Sequence, residues 1–141
     1  QKQLLALVDA DTAAFNQIME AYGMPKNDDA AKATRADAIE AATRHAIDVP
    51  MQVARTAAAV LPVAADMVER GNPNSVTDAG VGAMAARTAV LGAILNAQVN
   101  AKDLKDRAYV AEILAECDRL TEEVVTAERA VREGVARVLN S

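Results

Sequence analysis

An all-α fold, an up-and-down bundle of long and partly kinked helices, follows from three observations on this chain. Apolar residues recur at threes and fours over long stretches, and no segment alternates as a half-buried strand would. Helix stops built from Gly, Asn and Pro separate those stretches at Gly23 to Pro25 and at Gly71 to Asn74. The residues are 52% hydrophobic but only 2% aromatic, so the core must be made of Ala, Val, Leu, Ile and Met. Such thin side chains let helices pack close together, and the 141 residues suit one domain spanning 1–141.

The first helix is expected from about Lys2 to Tyr22, ending at Gly23 with Pro25 beyond it. Its apolar stripe reads Leu4, Val8, Phe15, Ile18 or Met19, and Tyr22, and is assigned to the core. Asp11 occupies the position missing from that series. A carboxylate on an apolar face either pairs with an Arg of a neighbouring helix or is kept for chemistry.

Asn27, Asp28 and Asp29 start a second helical pattern that continues to about Arg70. Its core stripe is Ile39, Ala42, Ala46, Val49, Val53, Ala57, Val60, Ala64 and Met67, while Glu40, Arg44 and Asp48 mark the wet side at i,i+4 spacing. Pro50 predicts a kink or short break at Val49, and Pro62 a second, milder bend. His45 lies beside the stripe and reads as a structural or surface histidine rather than a ligand.

The stretch Gly71 to Asn100 organises the rest. Ser75 and Thr77 offer N-cap oxygens to a central helix of small residues. Asp78, Gly82, Ala85, Ala89, Gly92 or Ala93, Asn96 and Asn100 share one side, polar at its ends and nearly bare between them. The opposite side (Val81, Met84, Thr88, Leu91, Leu95, Val99) is assigned to the core. After a connector around Lys102 to Asp106, a last helix from about Asp106 to Asn140 carries Tyr109, Ile113, Cys117, Leu120, Val124, Ala127, Val131, Val135 and Val138. That stripe serves either this chain's core or a dimer seam, and Cys117 within it reads as a small core residue.

Composition narrows the function. A net charge of -5 with so few aromatics argues against nucleic acid, which needs a basic footprint. The single cysteine makes no internal disulfide, and with no signal peptide the expected setting is cytoplasmic. The most apolar run, Ala79 to Leu95, is short and carries Arg87, so no membrane partner is expected. No GxGxxG, phosphate loop, HExxH or paired CxxC is present. The chain opens directly in helix, and further natural sequence is expected before Gln1.

Four strings carry a resemblance: AYGMPKN (21–27), DVP (48–50), RGNPNSVTDAGV (70–81) and NAQVNAKDLKDRAY (96–109). In order and spacing they resemble the cyclodeaminase/cyclohydrolase family of folate enzymes, over nearly the whole chain. The first and last strings are more similar to the free-standing cyclohydrolases than to the two-domain enzymes. The resemblance implies a helical homodimer that acts on a tetrahydrofolate derivative without metal or redox cofactor. It also implies a Pro-Gly-Gly-Gly loop and a further helix at the N-terminus, neither of which is present here.

The reaction so implied adds water to the cationic methenyl carbon of 5,10-methenyltetrahydrofolate and opens the ring to 10-formyltetrahydrofolate. It needs a base, a proton donor for the departing nitrogen and dipoles for the tetrahedral intermediate. Asp11 and Asp78 match the family's carboxylates and are the acid/base candidates, Asp11 ranked first because its stripe independently places it on an apolar face. Asp78 is equally suited to stabilising the first turn of its helix. Asn72, Asn74, Asn96 and Asn100 are candidates to orient the pterin or the intermediate, against structural roles at helix ends and contacts. Lys26, with Lys32 or Arg35, is a candidate to hold the glutamate carboxylates, against a solvated charge cluster. Asp78 and Asn96 share a face but lie about 27 Å apart along a straight helix, so both meet one substrate only at its opposite ends or across a dimer. A formiminotetrahydrofolate cyclodeaminase and a non-catalytic helical dimerisation module are the alternative functions.

Overall fold

A computed structural model describes residues 2–140. The helices are α1 (Lys2–Gly23), α2 (Asp29–Ala58), α3 (Val60–Arg70), α4 (Val76–Ala101) and α5 (Arg107–Leu139), with a 3-10 turn at Pro73–Ser75 between α3 and α4. Among the described residues there is no strand. Four of the helices are long and pack as a bundle, the expected all-α class.

Of the two prolines, Pro62 is the one at which the helix breaks. α2 runs through Pro50 unbroken, and the chain breaks at Ala59 instead. Pro62 lacks an N–H and its ring crowds the carbonyl four residues back, that of Ala58, so the helix ends there and restarts as α3. At Pro50 the orphaned carbonyl belongs to Ala46, and Asn100 Nδ2 of α4 donates to it at 3.0 Å. A side chain from another helix thus replaces the missing backbone donor.

Asp28 caps α2, its side chain accepting from the Ala31 amide at 2.8 Å. The start of α4 differs from expectation. Ser75 stands at the cap without a side-chain cap bond, and Asn72 instead caps the preceding 3-10 turn by accepting from the Asn74 amide at 3.0 Å.

α4 is the centre, with α2, α3 and α5 packed on it, while α1 packs on the outer flank of α2. The main core joins Ile47 and Met51 of α2, Val90 of α4, Leu104 of the connector and Cys117 and Val124 of α5. A smaller cluster of Leu7 and Ala14 against Ala46 and Val49 fastens α1 to α2.

Two assignments of the buried face are corrected. In α1 the buried residues are Leu7, Ala14 and Ala21, and the stripe expected inside is largely outside, with Phe15 61% exposed. In α4 the buried face is Ala79, Gly80, Ala83, Ala86, Val90, Ala93, Ile94, Ala97 and Ala101. Most of its bulky side faces solvent instead, with Leu95 67% exposed, and only Leu91 half-buried against the core. The reason is close approach: a helix with neighbours on several flanks must present its smallest side chains to them. At Gly80 even a Cβ would stand 3.2 Å from Val135 Cγ2 of α5. The polar-ended small side of α4 forms a third face, beside the space between α1 and α4. Of the expected α2 and α3 stripe, Ala42, Ala46, Val49, Ala57 and Ala64 are buried, Ile39 and Val53 are half-buried, and Val60 and Met67 are exposed.

Of the two readings open for the α5 stripe, Ile113, Cys117, Leu120, Val124 and Val131 are buried in this chain's own core against α3 and α4, while Tyr109, Ala127, Val135 and Val138 are half-buried. Burial pushes the Cys117 thiol pKa up. Glu128 is also buried, 2% exposed, and is paired with Arg132 one turn on and with Arg87 of α4 at 3.9 Å.

The expected wet side of α2 docks the start of α5. Glu40 Oε1 accepts from the Lys105 and Asp106 amides at 2.8 and 3.0 Å, and Asp106 caps α5 by accepting from the Tyr109 amide at 3.1 Å. Arg44 pairs with Asp106 at 3.1 Å and lies 4.0 Å over the Tyr109 ring, whose hydroxyl donates to Asp48 at 2.6 Å. Burial first, and then that bond, raise the Tyr109 pKa. Arg55 forks onto Glu116 at 2.6 and 2.8 Å. Residues 73–101 are together long and apolar enough to cross a bilayer by length and composition, longer than the apolar run read from the sequence; here one face of that helix is the centre of the bundle.

Candidate active site

The space between α1 and α4, floored by α2, holds two adjoining cavities of about 390 and 210 Å³. Asp11 of α1 and Asn96 of α4 line both. The larger is mostly apolar, walled by Leu4, Leu7 and Val8 of α1 and by Pro50 and Val53 of α2. The smaller lies toward Phe15, Ile18, Ala46 and Asn100. α4 leaves room for the cleft because its third face is bare: at Gly92, which lines the larger cavity, a Cβ would meet nothing within 4 Å.

The cleft gathers some candidates and leaves others out. Asp11 is exposed at the cleft, and among the described residues it has no ion-pair partner, so the alternative of a neighbouring Arg is not realised. Asn96 is exposed on the facing helix, and its side chain makes no hydrogen bond among the described residues. Asn100 is half-buried, and Nδ2 donates to both Ala46 O and Asn96 O, at 3.0 and 3.1 Å.

Asp78, Asn72 and Asn74 lie at the far end of α4 and line neither cavity. Asp78 stands in the first helical turn, where a carboxylate is stabilised by the helix dipole. Lys26 is exposed and also outside the cleft. Of the two cations read beside it, Lys32 pairs with Asp29 at 2.9 Å, and Arg35 donates to Tyr22 O at 3.1 Å.

Sequence reasoning missed Thr12, Thr88 and the apolar walls. In sequence Thr88 falls in the bulky series of α4, and Pro50 signals a kink or short break rather than a wall. Thr12 is i+1 to Asp11 and carries no pattern of its own. Among the described residues no three His, Cys, Asp or Glu side chains converge as a metal ion would require.

Residues 1–119 match the sequence profile of formiminotransferase-cyclodeaminase. The chain belongs to that family. Within it, the chain is 38% identical over 140 residues to the methenyltetrahydrofolate cyclohydrolase of Methylorubrum extorquens, covering 99% of this chain and 67% of that protein. It is 35% identical over 124 residues to the formimidoyltransferase-cyclodeaminase of Sus scrofa, covering 88% of this chain and 23% of that one. The crystal structure of formiminotetrahydrofolate cyclodeaminase from Thermotoga maritima superposes with a TM-score of 0.81 at 21% identity, covering 95% of this chain and 63% of that chain. The family's helical fold is therefore shared, and the chain spans only part of each of these relatives.

Proposed function

We propose that this protein hydrolyses 5,10-methenyltetrahydrofolate to 10-formyltetrahydrofolate. The observation that carries the reading is the shared lining of the two cavities by Asp11 and Asn96. The substrate is two ring systems, a reduced pterin and an aminobenzoyl group, joined through N5, N10 and the methenyl carbon between them. A ligand that fills both cavities has its middle, where the reactive carbon lies, beside those two residues. Support also comes from the relative that carries the cyclohydrolase name and matches 99% of this chain.

In this reading Asp11 is the base that takes a proton from the attacking water. Its negative charge also favours the cationic substrate, and among the described residues no competing Lys, Arg or His lines either cavity. The one-carbon unit keeps its oxidation level, so the reaction calls for no redox cofactor, and water with side chains suffices without a metal. The setting is cytoplasmic, with neither nucleic acid nor membrane as partner.

The protein acts as a homodimer. α1 and α4 expose Val8, Phe15, Met19, Val81, Leu95 and Val99, and fully covering one such side chain contributes roughly 1.5–3 kcal/mol. A second copy that covers this face can bring its Asp78 end, with Asn72 and Asn74, toward the cleft of the first. Asp78 then acts as the second acid/base group and Lys26 holds the glutamate carboxylates. Leu95→Asp is expected to give monomers in sedimentation experiments, and a dimer that persists removes this face from the interface. Lys26→Glu should raise KM for the polyglutamylated substrate more than for the monoglutamate.

The test is loss of methenyltetrahydrofolate absorbance in matched buffer, using the full-length protein and Asp11→Asn. Acceleration over buffer that falls by about 10²–10⁴ in the variant, with folding intact, is the expected result. The cyclodeaminase reading is favoured by the names of the porcine and Thermotoga relatives. Turnover of formiminotetrahydrofolate, with none of the methenyl compound, would establish it instead.

A further inference from the structure

The cleft is short of hydrogen-bond donors. Thr12 spends its hydroxyl hydrogen on Val8 O at 3.3 Å, and Thr88 spends its own on Met84 O at 3.0 Å. Asn100 has two amide hydrogens, and both are committed, to Ala46 O and Asn96 O. Asp11 as a carboxylate only accepts. From Leu7 onward the lining backbone lies inside helices, where amides are bonded to carbonyls four residues back. Within one subunit, the Asn96 amide is the one uncommitted side-chain donor among the described residues lining either cavity.

We infer that Asn96 Nδ2 donates the hydrogen bond that stabilises the oxygen added at the reacting carbon, and that Asn100 turns only an acceptor, Oδ1, toward the ligand. The inference rests on the cyclohydrolase reading and assigns the step that it leaves open. The water oxygen bonds to the methenyl carbon while one water proton passes to Asp11. The resulting carbinol gives its remaining hydroxyl proton to the second acid/base group, Asp78 of the second copy, and through it to bulk water, and its oxygen then carries the charge that Asn96 faces. As the carbonyl forms, the C–N5 bond breaks, its electron pair goes to N5, and N5 takes the proton held by Asp11. The net release is one proton, as the change from cation to neutral product requires.

The smaller cavity is the more polar of the two, and this difference orients the ligand. Asp11 lines both cavities, and the smaller one adds the Asn100 amide, whose hydrogens are spent on Ala46 O and Asn96 O. That lining suits the ring bearing N–H donors, the amino and ring N–H edge of the pterin. The larger, apolar cavity then takes the aminobenzoyl ring.

Steady-state kinetics of methenyltetrahydrofolate hydrolysis by the full-length protein, its Asn96→Ala and its Asn96→Gln variants test the inference. Asn96 is exposed, so truncation leaves no hole in the core; thermal melts of each variant check that folding is kept. Asn96→Ala is expected to lower kcat by about 10²–10³, as loss of one such donor does, with KM changed less than about threefold. Asn96→Gln, which keeps a donor on a longer arm, should regain part of kcat. A kcat within about threefold of the unaltered protein, or an effect confined to KM, overturns the donor role and leaves the cyclohydrolase reading standing. No acceleration by the unaltered protein overturns both.

Discussion

Asn100 gives the Ala46 carbonyl the hydrogen bond that Pro50 withholds from it. The amide nitrogen lies 3.0 Å from that oxygen and reaches it from a helix 54 residues further along the chain. The pairing lets α2 pass through a buried proline without a break beside the cleft. Asn100→Ala should cost about 1–3 kcal/mol, the penalty for an unpaired buried carbonyl. In a Pro50→Ala background, where residue 50 regains its own N–H, the same change should cost distinctly less. Denaturant melts of the four proteins form the cycle, and additive costs would show that the two sites are not coupled.

Gly134 and Gly82 should respond in opposite directions to alanine. At Gly134 of α5 a Cβ would stand 2.8 Å from Val68 Cγ1 of α3, a stiff branched side chain, whereas at Gly82 it would meet nothing within 4 Å. Gly82→Ala should stabilise by about 0.5–1 kcal/mol through the loss of glycine's unfolded freedom. Gly134→Ala should destabilise by about 1–2 kcal/mol net, and Val68→Ala should relieve it. Urea midpoints of the single and double variants decide both.

The bidentate bond from Arg55 holds the Glu116 carboxyl below the usual glutamate range. A depressed folded-state pKa contributes stability that is fully present above the unfolded value and is lost as pH falls through the folded one. The gap in unfolding free energy between the unaltered protein and Glu116→Gln should therefore be largest near neutral pH. It should shrink through the acid range below the ordinary glutamate value. A gap that stays constant into acid would mean the pair contributes nothing through charge.

Burial raises the Cys117 thiol pKa, and its sulfur rests 3.7 Å from Met51 Sδ in the core. An alkylating reagent at mildly alkaline pH should leave the native protein unmodified and label it in denaturant, since the thiolate is the reactive form. Rapid labelling of the folded protein would mean that the junction of α2 and α5 opens readily.

The sequence made some of this legible and hid the rest for identifiable reasons. The α5 stripe stands out because Ile113, Leu120, Val124 and Val131 are large and evenly spaced, and there size and burial coincide. In α1 and α4 they do not coincide: Ala14, Ala83 and Ala97 are buried because they are small, so a reading that follows bulk selects the outward side. Pro50 and Pro62 carry the same local rule, and the bond that serves the Pro50 site comes from Asn100, 54 residues from the carbonyl it meets. Glu40 looks like a surface residue until the connector is seen to bring the Lys105 and Asp106 amides to it. In the cleft, Asp11 was legible as a carboxylate out of place in an apolar series. Its nearness to Asn96 was not, because it depends on how α1 and α4 stand on α2. Asp78, Asn72, Asn74 and Lys26 carry the strings of the family, yet spacing within one chain gave no means of placing them beside Asp11.

The Glu40 carboxylate that receives the first amides before α5 sits 65 residues upstream of the nearer one. A chain made from its N-terminus therefore emerges with this acceptor already present when the longest helix follows it. The start of α5 is thus set by an earlier part of the same polypeptide, and synthesis delivers the two in the order in which they are needed.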